Sequence, residues 1–333
     1  MASVTLGVIG CGGMGSDLVR NAQRLEHADV VVVSDLDESR AKPLAEEIDS
    51  AYVTDYAELL ARDDIDAVLI ASPPFVHRQM TEAAAEAGKH VFCEKPMAPT
   101  LADCDAMTQA VTEAGVKFQI GHVCRYHGTH GKVRDLVASG DFGAPTTMVV
   151  WRIGGGWGDS HPNWRYKLEE SGGTLMEVNA HEIDFMRFVC GDVAKVSAIG
   201  GTYVQTRHDY PDVTLVSLQF TSGAVGFLQS GNASAIGGYG GRVDCTEGSI
   251  DFPAFWGGGA TIDTKRFDGE RDEVAIGDLD FETPVKAEIR AFVDAILNDT
   301  DTPITAADGR AIVEVARAAY RSIEEGGAVI SLG

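Results

Sequence analysis

The chain has 333 residues, 44% of them hydrophobic, which is enough for two domains with cores of their own. Its 50 Asp and Glu against 27 Lys and Arg, only nine of them Lys, give a net charge of −23 and leave no basic stripe for nucleic acid. The acid is dispersed along the whole chain, as in a halophilic protein kept soluble by concentrated salt or, more simply, an acidic cytosolic one.

Six cysteines without a C-x-x-C pair read as reduced, mostly buried thiols. No apolar run reaches membrane-spanning length, and MASVTLGVIG leads straight into a strand without a charged leader. A soluble, cytoplasmic protein without membrane partners is expected.

In chain order, five strand-like runs come first: VTLGVIG, DVVVVS, DAVLIAS, KHVFCEK and VKFQIG. Between them lie helical stretches, GGMGSDLVRNAQRL, DESRAKPLAEEI, TEAAAEAG and LADCDAMTQAVTEAG, the last with Thr100 as N-cap and Gly115 just past its end. Strands alternating with helices predict a doubly wound parallel sheet over residues 1–121. Beyond it come a helix at KVRDLVASG, a Gly- and Trp-rich loop and a helix around 173–187. Strand-like pieces follow at Thr202–Tyr203, Val213–Phe220, Ala224–Gln229 and Val243–Cys245, then two closing helices. This second half, 122–333, reads as an α+β domain around a mostly antiparallel sheet.

The first strand runs into Gly10-Cys11-Gly12-Gly13-Met14-Gly15, and a second strand ends at Asp35, twenty positions on. Strand, G-x-G-x-x-G, helix and distal acid together form the dinucleotide fingerprint. The glycines permit the tight turn and close backbone approach, and the helix start faces the pyrophosphate. Asp35 can accept hydrogen bonds from a ribose 2′-hydroxyl but repels a 2′-phosphate; Leu36, Asp37 and Glu38 bring no cation and Arg40 is a helical turn away, so NAD is favoured over NADP. Ser72-Pro73-Pro74-Phe75-Val76-His77 and Glu94-Lys95-Pro96 stand at the ends of two further strands, where a doubly wound sheet binds its ligand. Ser72, Pro73, His77 and Glu94 therefore join the cofactor set.

In the second half, SGGTLMEVNAHEIDFMR carries Glu177, His181 and Asp184 at helical spacing among apolar residues. Three ionisable groups on a buried stripe must pair, bind a ligand or do chemistry. His122, Cys124, His127 and His130 offer donors without zinc spacing, and no metal is expected. The loop from Gly154 to Tyr166, with Trp157, Asp159, His161, Trp164 and Tyr166, puts aromatic faces beside polar groups, a lining that suits a sugar ring or packs between domains or subunits.

The whole chain resembles the Gfo/Idh/MocA family, through its strand–G-x-G-x-x-G–helix start, the Ser72–His77 loop, Glu94-Lys95-Pro96 and the Gly172-Gly173 helix with Glu177 and His181. The resemblance implies a Rossmann domain followed by a domain with an open antiparallel sheet used for homo-oligomerisation, as a dimer or tetramer. It implies NAD(P)-dependent chemistry on the CH–OH group of a sugar, sugar acid or polyol. It also implies that Lys95 stabilises alkoxide charge and that His181 is the general base. Glu177, where the family has Asp, then orients His181 or bonds a second hydroxyl. Arg125, Trp164 and Tyr166 join Lys95 and His181 as substrate contacts, and Asp184 pairs with an Arg or caps a loop. Two alternatives stay open: a lyase or glycosidase that oxidises its substrate transiently, and a non-catalytic dinucleotide-binding regulator.

Overall fold

A computed structural model describes residues 3–156, 163–255, 260–278 and 283–333. It divides into two compact units, residues 1–123 with 282–311, and residues 124–281 with 312–333.

The first unit carries β1 (Val4–Ile9), α1 (Gly13–Ala22), β2 (Ala28–Ser34), α2 (Glu38–Ile48), β3 (Ala51–Val53), α3 (Tyr56–Leu60), β4 (Ala67–Ile70), α4 (His77–Glu86), β5 (His90–Glu94), α5 (Leu101–Ala114) and β6 (Phe118–Gly121). All six strands run parallel in the order β3-β2-β1-β4-β5-β6. That order reverses between β1 and β4, the switch point at which such sheets open a ligand crevice. The sheet is buried on both faces, as the near-continuous Val and Ile runs require, and Ala67, Val68, Leu69 and Ile70 of β4 are fully buried. Thr100 caps α5 by accepting from Asp103 N at 3.1 Å, and Gly115 ends it at φ 67°. Two elements escape the sequence reading: β3, too short at three residues to show a period, and α3, a five-residue helix capped by Asp55.

The sequence reading put residues 282–311 with the second domain, whereas they cluster with the first unit. The physical reason is the apolar stripe of the helix Pro284–Leu297. Ile289, Phe292 and Val293 are buried in one core with Leu6, Val8, Leu18 and Phe92, and the Phe92 and Phe292 rings meet edge-on at 5.9 Å. Downstream, Ile120 N donates to Ile304 O at 3.1 Å and Thr302 Oγ1 to Phe118 O at 2.6 Å.

The second unit begins with α6 (Gly128–Ala138), β7 (Pro145–Ile153), α7 (Leu168–Ser171), α8 (Gly173–Glu177) and α9 (Ala180–Cys190). Then follow β8 (Val193–Gly201), β9 (Val213–Phe220), β10 (Val225–Gly231), β11 (Gly238–Cys245), β12 (Gly248–Phe252), β13 (Thr261–Arg266) and β14 (Arg271–Ala275). The helix Pro284–Leu297 is α10, and α11 (Ala306–Glu324) and β15 (Ile330–Ser331) close the chain. Nine strands form one sheet in the order β14-β13-β12-β11-β7-β10-β9-β8-β15, antiparallel except for the β7–β10 pair. β7 falls within the stretch read as loop, and Thr202–Tyr203 lies beyond the end of β8 rather than in a strand.

One face of this sheet is core, with Thr214, Val216, Leu218 and Phe220 of β9 turned inward. On the other, pairing aligns Val149, Phe227 and Ser217 in one row and Trp151, Gln229, Leu215 and Ile199 in the next. Val149, Val225 and Ile199 are exposed there. All six cysteines are free and buried.

Candidate active site

In the first unit the candidate residues stand at the carboxyl ends of β1, β2, β4 and β5. Gly10 turns the chain at φ 99°, and a Cβ there would sit 2.7 Å from Ala71 O, so only glycine satisfies both the turn and the neighbouring strand. A Cβ on Gly15 would fall on the Gly10 carbonyl oxygen, whereas one on Gly12 or Gly13 would meet nothing within 4 Å. Gly15 thus serves the packing of α1 on β1, while Gly12 and Gly13 leave open space at the start of α1. Half-buried Met14 follows them in the first turn.

Asp37, Asp55 and Thr100 cap α2, α3 and α5 with side chains, but α1, like α4, has no side-chain cap and no acidic residue in its first turn. The N–H groups and dipole at such a helix start can take an anion. Asp35 stands beside this loop, its Oδ2 accepting from Cys11 N at 2.8 Å and its Oδ1 from Asp37 N at 2.9 Å. Both carboxylate oxygens keep acceptor capacity for a ribose diol. Burial and the Asp35 charge push the Cys11 thiol up to about 12, so it stays protonated and inert. The Ser72 hydroxyl, at the end of β4, is buried without a hydrogen-bond partner in the described chain. An open cradle, an uncapped helix start, a ribose acid and an orphaned hydroxyl together fit a dinucleotide.

His77 sits among backbone carbonyls. It is fully buried, with Nε2 2.8 Å from Ser72 O and Nδ1 3.0 Å from Pro96 O and 3.2 Å from Met97 O. Burial lowers its pKa, and the neutral ring carries a single N–H, so it donates either to Ser72 O or to the Pro96 and Met97 carbonyls. Glu94 is buried over Gly121, where a Cβ would come within 3.0 Å of its carboxyl carbon, and Lys95 N donates to Glu94 Oε2 at 3.2 Å. Lys95 itself is half-buried immediately after β5.

In the second unit the helix predicted around Glu177, His181 and Asp184 is two helices. α8 ends at Glu177 and α9 starts at Ala180; Val178 still donates helically to Thr174 O at 3.0 Å, and the path departs at Asn179, with φ −92° and ψ 9°, whose N–H bonds the same oxygen at 3.0 Å. Glu177 and His181 thus flank the point where the two helices meet, and both are buried. Gly173, at φ 69°, starts α8 where a Cβ would collide with the Tyr320 hydroxyl; that hydroxyl accepts from Leu175 N at 3.1 Å.

Glu177 makes an ion pair with Arg165 at 2.5 Å, and the Arg165 guanidinium lies over the Trp164 ring at 4.7 Å. Asp184 takes both edges of Arg125, Nη2 at 2.6 Å and Nε at 2.8 Å, as expected for an Arg partner. Arg125 is thereby engaged with the base of α9. Tyr166 is buried beneath Arg207, 4.2 Å from its ring, and beside His208, which makes it a packing residue more than an open wall. The loop residues Trp157, Asp159 and His161 lie outside the described residues.

Of the histidine cluster, His130 stacks on Phe255 at 4.1 Å with Nε2 3.3 Å from the Tyr239 hydroxyl. Burial, then His127 and Arg152, hold its pKa well below the ordinary value. Among the described residues no group of three or more His, Cys, Asp or Glu could hold a metal ion.

Residues that the sequence reading missed surround the break. Arg152 on β7, Ser230 on β10 and Tyr239 on β11 all reach it from inward-facing or partly buried strand positions. The one available signal was polar residues on otherwise core-facing strands.

Comparison with known proteins agrees with this geometry. Residues 4–122 match the family described as oxidoreductase family, NAD-binding Rossmann fold, and residues 130–251 match the GFO/IDH/MocA C-terminal domain. An uncharacterised oxidoreductase of Bacillus subtilis is 32% identical over 97% of this chain and 95% of its own length. The 2,7-anhydro-N-acetylneuraminate hydratase of Mediterraneibacter gnavus is 33% identical over 70% of this chain and 63% of its own. Among solved structures, aldose-aldose oxidoreductase from Caulobacter crescentus superposes with a TM-score of 0.89 at 26% identity, covering 99% of this chain and 100% of that one.

Proposed function

The chain belongs to the Gfo/Idh/MocA family of oxidoreductases, and from that premise we propose that it is an NAD-dependent dehydrogenase of a sugar, sugar acid or cyclitol. The observation that carries the reading is the cradle at α1, open above Gly12 and Gly13 and flanked by Asp35. Gly10, Gly12, Gly13, Met14, Gly15 and Asp35 would hold the dinucleotide, with Ser72, Pro73, His77 and Glu94 at the neighbouring strand ends. NAD is preferred because the Asp35 carboxylate repels a 2′-phosphate and Arg40 lies 3.4 Å from Asp37, partly neutralised. Bound there, NAD supplies the hydride acceptor.

This chain's own residues handle the proton and the charge. His181, as neutral imidazole, takes the proton of the reacting hydroxyl at one ring nitrogen. Lys95, as ammonium, stabilises the alkoxide charge that develops on that oxygen. Glu177, paired with Arg165, acts as an orienting group more than as a proton acceptor. Trp164, under Arg165, offers a ring face to the substrate.

A second reading keeps the same residues but ends in elimination or hydration after transient oxidation. The hydratase relative favours it. The experiment is NADH formation in molar KCl across sugars, sugar acids and inositols, with NAD and separately with NADP, beside Lys95→Ala. Net NADH that the variant abolishes supports the dehydrogenase. Substrate loss at constant NAD moves the reading to elimination. NAD binding without substrate conversion by either route counts against catalysis.

The apolar rows on the open face of the second unit's sheet support a homo-oligomer, dimer or tetramer, through that face. The dispersed acidic residues support work in concentrated salt, and among the described residues no helix is long and apolar enough to cross a membrane. We place the enzyme in the cytoplasm on the sequence reading.

A further inference from the structure

We propose that Arg152, Asn179, Glu182 and Ser230 form a positioning network that sets the break between α8 and α9 and so fixes where His181 meets the substrate; this rests on the reading of His181 as the base.

A break inside a buried helix leaves carbonyls at the end of the first half and N–H groups at the start of the second without helical partners. Leaving buried polar groups unpaired is costly. Val178 N and Asn179 N both donate to Thr174 O at 3.0 Å, Val178 O is taken by a side chain from a neighbouring strand, and the side chains of Asn179 and Glu182 are held from neighbouring strands as well. Arg152 Nη1, on β7, donates to Val178 O at 3.2 Å and to Glu182 Oε1 at 3.1 Å. Asn179 Nδ2 donates to Glu182 Oε2 at 2.9 Å, and its Oδ1 accepts from Ser230 Oγ on β10 at 2.6 Å. The Tyr239 ring on β11 lies beside the same group, with the Arg152 guanidinium 4.8 Å from the ring. Strands β10, β7 and β11 are adjacent in the sheet, so one continuous surface grips the break.

The chemistry of this grip argues for precision over stability. Glu182 is fully buried, and a buried ion pair is on balance a weak stabiliser compared with apolar residues of the same volume. The chain instead commits four polar side chains to the break between Glu177 and His181. His181 is bonded covalently to Glu182 and lies two residues from Asn179, so both anchors flank it directly. Displacing a catalytic group by about 1 Å can cost ~100-fold in rate.

The test uses the full chain with ¹³C-labelled histidine. Arg152→Met alone leaves Glu182 buried and uncompensated, and lowers the melting temperature. Arg152→Met with Glu182→Met removes the charge pair, restores most of the melting temperature, and still leaves the break without its partners. The double variant is expected to lose ~100-fold in kcat with little change in KM for NAD. Its His181 ring resonance, assigned through His181→Gln, should move. Ser230→Ala, which removes one hydroxyl, shifts the same resonance less and lowers kcat less. An unmoved His181 resonance in the double variant overturns the proposal whatever the rate does, and so does a wild-type kcat. Should the wild-type protein turn over no substrate, the dehydrogenase reading fails, while the resonance still decides whether this network positions His181.

Discussion

Gly12→Ala separates cofactor binding from folding in the first unit. Gly12 has φ −69° and ψ −168°, extended backbone that alanine adopts freely, and a Cβ there meets nothing within 4 Å. Replacing a glycine at a compatible site stabilises by about 0.4–1 kcal/mol through the unfolded chain, while alanine is a poorer N-cap by a similar amount. The two offset, and net stability should move by no more than about 0.5 kcal/mol. Binding should not be spared, because the methyl group occupies the space through which pyrophosphate reaches the N–H groups of α1. Losing one charge-assisted hydrogen bond costs about 1.5–3 kcal/mol, roughly a 10- to 150-fold weaker NAD affinity. Gly15→Ala is the control: its Cβ falls on the Gly10 carbonyl oxygen, so melting temperature and NAD affinity should drop together. Thermal melting and NAD titration by calorimetry read both quantities. Gly12→Ala binding NAD as wild type does, or melting as low as Gly15→Ala, would refute the assignment of that space to the cofactor.

Other outcomes follow from the second unit and from the charge. Arg165→Met leaves Glu177, 7% exposed, without its guanidinium; because Arg165 is itself partly exposed the cost should be about 2 kcal/mol, read as a lower urea midpoint, and an unchanged midpoint would show the pair to be ornamental. His130 is neutral in the fold, since burial and then His127 and Arg152 depress its pKa well below the unfolded 6.5. Its stability contribution is therefore complete above that value and is lost as pH falls below it towards the folded pKa. His130→Phe should flatten the fall in urea midpoint below about pH 6.5, and an unchanged slope would contradict this. With a net charge of −23, the protein should lose far-ultraviolet circular dichroism or melt earlier in low salt than in molar KCl; equal stability in both sinks the halophilic reading.

The first unit was largely legible because local rules and the fold agree there. The Val-rich strands, the glycine loop, Asp35 and the Thr100 and Gly115 caps all carry their own signals and fall where those signals put them. What escaped depends on tertiary partners. β3 is too short for a period, and the helix Pro284–Leu297 joins the first unit through Ile289 and Phe292, whose destination no local pattern names. The division of α8 from α9 is invisible in LMEVNAHEIDF, which has helical spacing throughout, because the groups that hold the break open lie on β7, β10 and β11. Likewise the Arg165 partner of Glu177 has no mark in the local pattern. The three carbonyls around the His77 ring are also tertiary neighbours that no local pattern names.

The measurement that bears most directly on catalysis is a double-variant cycle on kcat, comparing Lys95→Ala, His181→Ala and both together with the substrate that gives the fastest NADH formation. Two groups acting on one reacting oxygen form a unit, so each single change should cost ~10²–10⁴-fold and the double little more than the worse single. Losses that multiply in full, or a Lys95→Ala enzyme that turns over like wild type, would contradict a shared role for Lys95 and His181.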